Sequence, residues 1–225
     1  MQHPAGGSVW GAVLLTVFFG VVLVGVAILV LLNRGAARKV VLGGLLAAAT
    51  AVAAFQAGHM FEHIAPFIGI HGADEFMTPW GEALAAGYAR LDVHNPYAGM
   101  EILHLVGNAI FLVGVVALVA LTSRLAPGGP AHHSARWCLW IQGAHVVEHV
   151  LLTSTVLIGG KALGLSSFFV PLDSDSAMWI YRLWWHFVVN LVATILMGRA
   201  MYEVWRSLDL DAAVRRTARA DPVPV

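Results

Sequence analysis

The chain has 225 residues, 59% of them hydrophobic and only 12% charged, and its formal net charge is zero. Soluble domains carry about twice that share of charge, so the composition excludes an ordinary water-soluble fold. Evenly matched acids and bases leave no basic stripe for nucleic acid. The single Cys138 excludes both an intrachain disulfide and a cysteine-rich zinc or iron–sulfur site.

Five apolar stretches follow one another, over 8–32, 40–70, 97–123, 137–159 and 177–203. Each reaches the roughly 20 residues that a helix needs to cross a bilayer. The first has no positive leader and no small-residue cleavage site, so it reads as a retained span at the periphery. The second carries Gly43, Gly44, Ala47, Ala48 and Ala49, small residues that permit close helix contact. The loop at 71–96 contains Thr78 and Pro79 ahead of Trp80, Ala83, Leu84 and Tyr88, the pattern of a short amphipathic helix on the membrane. The loop at 160–176 contains Leu163, Phe168, Phe169, Val170 and Pro171, and both loops are expected to cover an opening. His132 and His133, in a Pro/Gly-rich turn, read as solvated. A polar tail occupies 211–225, beyond a single transmembrane domain spanning 1–210.

The positive charges set an orientation. Arg34, Arg38, Lys39, Arg124, Arg136, Arg206, Arg215, Arg216 and Arg219 all fall on one side of a chain that crosses five times. That side is expected to be cytoplasmic, with the N-terminus outside and the C-terminus inside. Trp80, Tyr88, Tyr97, Trp179 and Tyr181 would then line the outer interface. Trp137, Trp140, Tyr202 and Trp205 would line the inner one.

One pattern is written twice. Gln56, His59, Glu62 and His63 read Gln-x-x-His-x-x-Glu-His, and Gln142, His145, Glu148 and His149 repeat it 86 residues later. His104 and Asn108 return as His186 and Asn190, 82 residues on. The order of the motifs gives both halves, 40–123 and 137–203, the same orientation across the membrane. The fold expected is therefore an all-α integral membrane protein of five transmembrane helices. Four of them form a bundle built from a duplicated two-helix unit in parallel orientation.

On a helix turning 100° per residue, the four residues of each long motif share one face about 120° wide. Counting along the spans brings His59, His63, His104, His145, His149 and His186 to a similar depth, together with Glu62 and Glu148. A single intramembrane histidine is most simply a hydrogen-bonded core residue. Recurrence in register favours a site instead, because ionisable groups in lipid are costly and tend to be functional. These six His and two Glu are the candidate metal ligands, with Glu62 and Glu148 as bridging or acid–base groups. Gln56, Gln142, Asn108 and Asn190 are candidates for supporting a cofactor through interhelical or outer-shell hydrogen bonds. Glu101 and Arg182, one turn from His104 and His186, read as an additional ligand or base and its pairing cation, or as interfacial charges.

The His-x-x-x-His pairs at 59–63 and 145–149, with Glu nearby, resemble the dinuclear iron sites of hemerythrin-like proteins. They also resemble the histidine boxes of membrane fatty-acid desaturases and hydroxylases. That resemblance implies a dinuclear, oxygen-active metal pair. The His-x-x-Glu-His pattern is similar to the inverted zinc-peptidase motif as well. Two transition-metal ions, iron first and copper next, are therefore the expected cofactors, with haem b or zinc as alternatives. The expected function is O₂-dependent oxidation of a lipophilic small molecule in the bilayer, with an external electron donor. A b-type haem electron carrier and a zinc-dependent intramembrane hydrolase are the alternatives.

Overall fold

A computed structural model of the chain describes residues 38–64, 87–88, 96–159, 163–165, 167 and 175–207. The expected span at 8–32 and the tail at 211–225 lie outside the described residues. So does the loop at 71–96, apart from Gly87 and Tyr88, which are helical and buried, and Pro96, which opens the next helix. Nearly all the described residues are helical, and there is no strand among them.

Four helices make up the described fold: α1 (Arg38–Ile64), α2 (Pro96–Leu125), α3 (Pro130–Gly159) and α4 (Asp175–Arg206). They hold 27 to 32 residues each, or about 40 to 48 Å of helix at 1.5 Å per residue. All four are long and apolar enough to cross a membrane, over Val40–Met60, Glu101–Leu125, Pro130–Ile158 and Trp184–Arg206. Within lipid a helix is favoured because it satisfies every backbone polar group internally. That constraint outweighs the modest helix propensity of their many valines.

α1 packs against α2 and α4, and α3 closes the other side by packing against the same two. The turn between α2 and α3 is short. Thr122 C=O accepts from Ala126 N–H at 3.0 Å, and Gly128 takes a φ of 73° that side chains resist. Pro130 then opens α3, where a missing N–H costs nothing.

This start lies seven residues ahead of the predicted boundary at 137. His132, His133, Ser134 and Arg136 hide the helix from a hydropathy reading, although Ala131 and Ala135 are buried on its inner face. His132 is consequently not a solvated turn residue. It is half-buried in the first turn of α3, with Nδ1 3.3 Å from Thr122 Oγ1.

The core divides along the bundle axis. Toward the α2–α3 turn, it is apolar, built from Leu45, Ala49 and Val52 of α1, with Phe111, Val115, Leu118 and Leu121 of α2. Ala135 and Cys138 of α3 and Ala193, Met197, Ala200 and Val204 of α4 complete it. Gly114 permits the close approach of α1, since a Cβ there would run into the Val52 side chain. Trp137, Trp140, Tyr202 and Trp205 are exposed around this end, a position that suits a membrane interface.

Further along, the same four inward faces become polar.

Candidate metal centre

Ascending from the apolar half, the first polar step is a pair of amide clamps. Gln142 Nε2 on α3 donates to Asn108 Oδ1 on α2 at 2.9 Å. Gln56 Nε2 on α1 donates to Asn190 Oδ1 on α4 at 3.0 Å and to Thr194 Oγ1 at 3.3 Å. Each asparagine uses its own amide N–H on the turn toward the histidines: Asn108 Nδ2 donates to His104 C=O and Asn190 Nδ2 to His186 C=O, both at 2.9 Å. A single side chain thus links a facing helix to the backbone of a histidine one turn away. Thr194 is a partner that the sequence pattern gave no means of selecting.

One turn beyond the clamps lie the imidazoles. His145 Nε2 is 3.1 Å from His186 Nδ1 and 3.1 Å from His149 Nε2. One ligating atom from each of these three residues lies within 4.8 Å of the others. The spacing of four on α3 sets His145 and His149 on successive turns of one face, and α4 supplies the third nitrogen. His104 of α2 stacks on His149 with ring centroids 5.7 Å apart, and meets His186 edge-on at 5.5 Å. His59 of α1 meets His186 edge-on at 6.2 Å. All four helices therefore contribute to one histidine layer.

The nitrogen geometry suits a cation. A neutral ring nitrogen offers either one proton or one in-plane lone pair, so His145 Nε2 cannot make good hydrogen bonds to two neighbours at once. A metal ion accepts all three lone pairs together. Nitrogens held at about 2.1 Å from an ion stand about 3.0 to 3.4 Å apart at angles of 90° to 110°. The two separations of 3.1 Å match that range. His145 and His149 are 2% and 3% exposed, so water is largely excluded. The group of His145, His149 and His186 could hold a metal ion.

Acidic residues frame this group. Glu101 Oε2 of α2 is 3.9 Å from His149 Nδ1, on the ring edge opposite the convergent nitrogen. At that distance the two groups interact through space and not by a hydrogen bond. Its spacing of three from His104 was the only sequence signal for it. Buried Glu148 accepts a hydrogen bond from the backbone N–H of Leu165, in the segment joining α3 to α4. The side chains of Glu62, His63 and Arg182 lie outside the described residues.

These features define a class: a helical protein with four membrane-length helices among its described residues and a largely buried histidine group that could take a metal ion. The chain belongs to a protein family described as "Family of unknown function (DUF6008)", whose match extends over residues 1–224. No curated protein and no solved structure matches it.

Proposed function

We propose that the protein is a membrane metalloprotein that uses an intramembrane dinuclear centre to oxidise a lipophilic small molecule with O₂. The observation that carries this reading is the convergence of His145 Nε2, His149 Nε2 and His186 Nδ1 in a buried layer. These three would hold the first ion. His59 and His63 repeat the spacing of His145 and His149. With His104 and Glu62 they would supply the second half-site.

The two amide clamps support a duplicated bundle. Gln56 pairs with Asn190 as Gln142 pairs with Asn108, the exchange expected for two halves related by a two-fold along the membrane normal. With the basic residues on the cytoplasmic side, the histidine layer would occupy the outer half of the bilayer. Imidazole combined with carboxylate favours iron, then copper. When bound, such ions would supply the one-electron chemistry that O₂ oxidation requires. The chain's own residues hold them, keep water out and offer an apolar route from the bilayer, while electrons come from an external donor.

Haem fits less well. Rings of His145, His149 and His186 stand 4.8 to 5.1 Å apart, leaving no slot between them for a macrocycle.

Elemental analysis and an absorption spectrum of detergent-purified protein test the reading. Near two redox-active metals per chain and no Soret band are expected. His145→Ala should lose at least one of them. A protein that takes up no transition metal would sink the proposal.

A further inference from the structure

Glu148 belongs to the repeated motif, and its carboxylate accepts from a backbone N–H outside the four helices. Leu163, Gly164 and Leu165, which follow α3 in sequence, lie against the side of that helix. Leu163 lies beside Thr155, whose Oγ1 meets the Leu163 N–H at 2.8 Å and the Leu163 C=O at 3.0 Å. Leu165 then donates its N–H to the Glu148 carboxylate, and Gly164 packs against that carboxylate so closely that a Cβ would collide with both oxygens. Thr155 and Glu148 are seven residues apart, so the segment returns along about two turns of helix. A local turn stiffens it: Ser167 N–H donates to Gly164 C=O at 3.0 Å, and Gly164 N–H donates to Ser167 Oγ at 3.2 Å.

This segment therefore lies within the apolar span Pro130–Ile158 and beside the histidine layer, since Glu148 adjoins His149. Backbone that departs from a spanning helix at membrane depth is tolerated only where its polar groups find partners in the protein. The described donors do so: Leu163 on Thr155, Gly164 on Ser167, Leu165 on Glu148. Leu165 is the donor of the three that is held by a carboxylate, the Glu148 side chain.

We propose that Glu148 is a positioning residue rather than a bridging ligand. It ties Leu163, Gly164 and Leu165 beside the histidine layer, on the end remote from the α2–α3 turn. Gly164 is the space that makes this tie possible. The tie restricts passage of ions and small solutes between that end of the bundle and the histidines. This role in access rests on the metal reading above; the tie itself does not.

Two readouts separate those parts. The first is the rate at which a membrane-impermeant maleimide labels a cysteine at 165 (Leu165→Cys in a Cys138→Ala background). Glu148→Ala and Gly164→Ala should each raise it about tenfold or more. Glu148→Gln keeps an acceptor oxygen and should stay within roughly threefold of the parent. The second is the rate of metal loss to a water-soluble chelator, which should rise in the same two variants and not in Glu148→Gln. Unchanged labelling in both Glu148→Ala and Gly164→Ala would overturn the tie. So would a Glu148→Gln protein that lacks metal as fully as His145→Ala does while labelling normally, because that pattern marks a ligand. If the parent takes up no metal but labelling responds as described, the tie stands and the metal reading fails.

Discussion

The two halves of the bundle are built from the same four helices by different means. Near the α2–α3 turn, Phe111, Leu118, Leu121, Met197 and Val204 interlock as aliphatic and aromatic shapes. In the other half the same inward faces present Gln56, Asn108, Gln142, His145, Glu148, His149 and Asn190, all buried. Lipid is as apolar as leucine, so neither half gains much from a hydrophobic drive between helices. The apolar half is held by close packing and the polar half by directed hydrogen bonds. Only the second arrangement is expensive to keep in a membrane, which makes it the candidate functional half.

The contrast can be tested from either side. Truncating Phe111→Ala should cost about 3–5 kcal/mol of stability, read from the unfolding midpoint in detergent, and leave bound metal per chain unchanged. His145→Ala should do the reverse. Metal affinity should fall by more than ~100-fold, exceeding the loss of an outer partner, while the unfolding midpoint barely moves. If both variants lost stability and metal together, the two halves would be a single cooperative unit. Glu101→Gln should lower metal affinity by no more than about tenfold, since it alters a carboxylate near His149 and removes none of the three convergent nitrogens; a metal titration resolves this. The smallest effect belongs to the clamps at the boundary. Gln142→Leu and Gln56→Leu should each cost about 1 kcal/mol, the worth of an interhelical hydrogen bond in lipid. Unequal losses would show that the boundary is held mainly from one side.

How far the sequence reached follows from the same contrast. Long runs of Val, Leu and Ala make four membrane-length helices legible, because length and apolarity alone decide that a segment can span. The start of α3 was not legible, since Pro130–Arg136 reads as polar although Ala131 and Ala135 face the core. The histidine pattern marked three residues of a metal-capable group, His145, His149 and His186, and the spacing of four sets His145 and His149 on one helix face. Partners chosen by tertiary approach escaped it. Thr194 reaches Gln56 across 138 positions, and nothing local identifies such a pair. Glu148 and His149 are adjacent in the motif, yet the backbone contact made by Glu148 comes from a loop whose path no periodicity encodes.

The amide clamps also say something about how the chain could be divided. Each joins a residue before the α2–α3 turn to one after it: Gln56 with Asn190, and Asn108 with Gln142. Severing the backbone at Gly128 would leave each fragment with one member of both pairs, and with amides unable to find their usual partners at membrane depth. Neither fragment should accumulate alone in cells. Expressed together, they should reassemble without a peptide bond between them, as two complementary chains sharing one histidine layer.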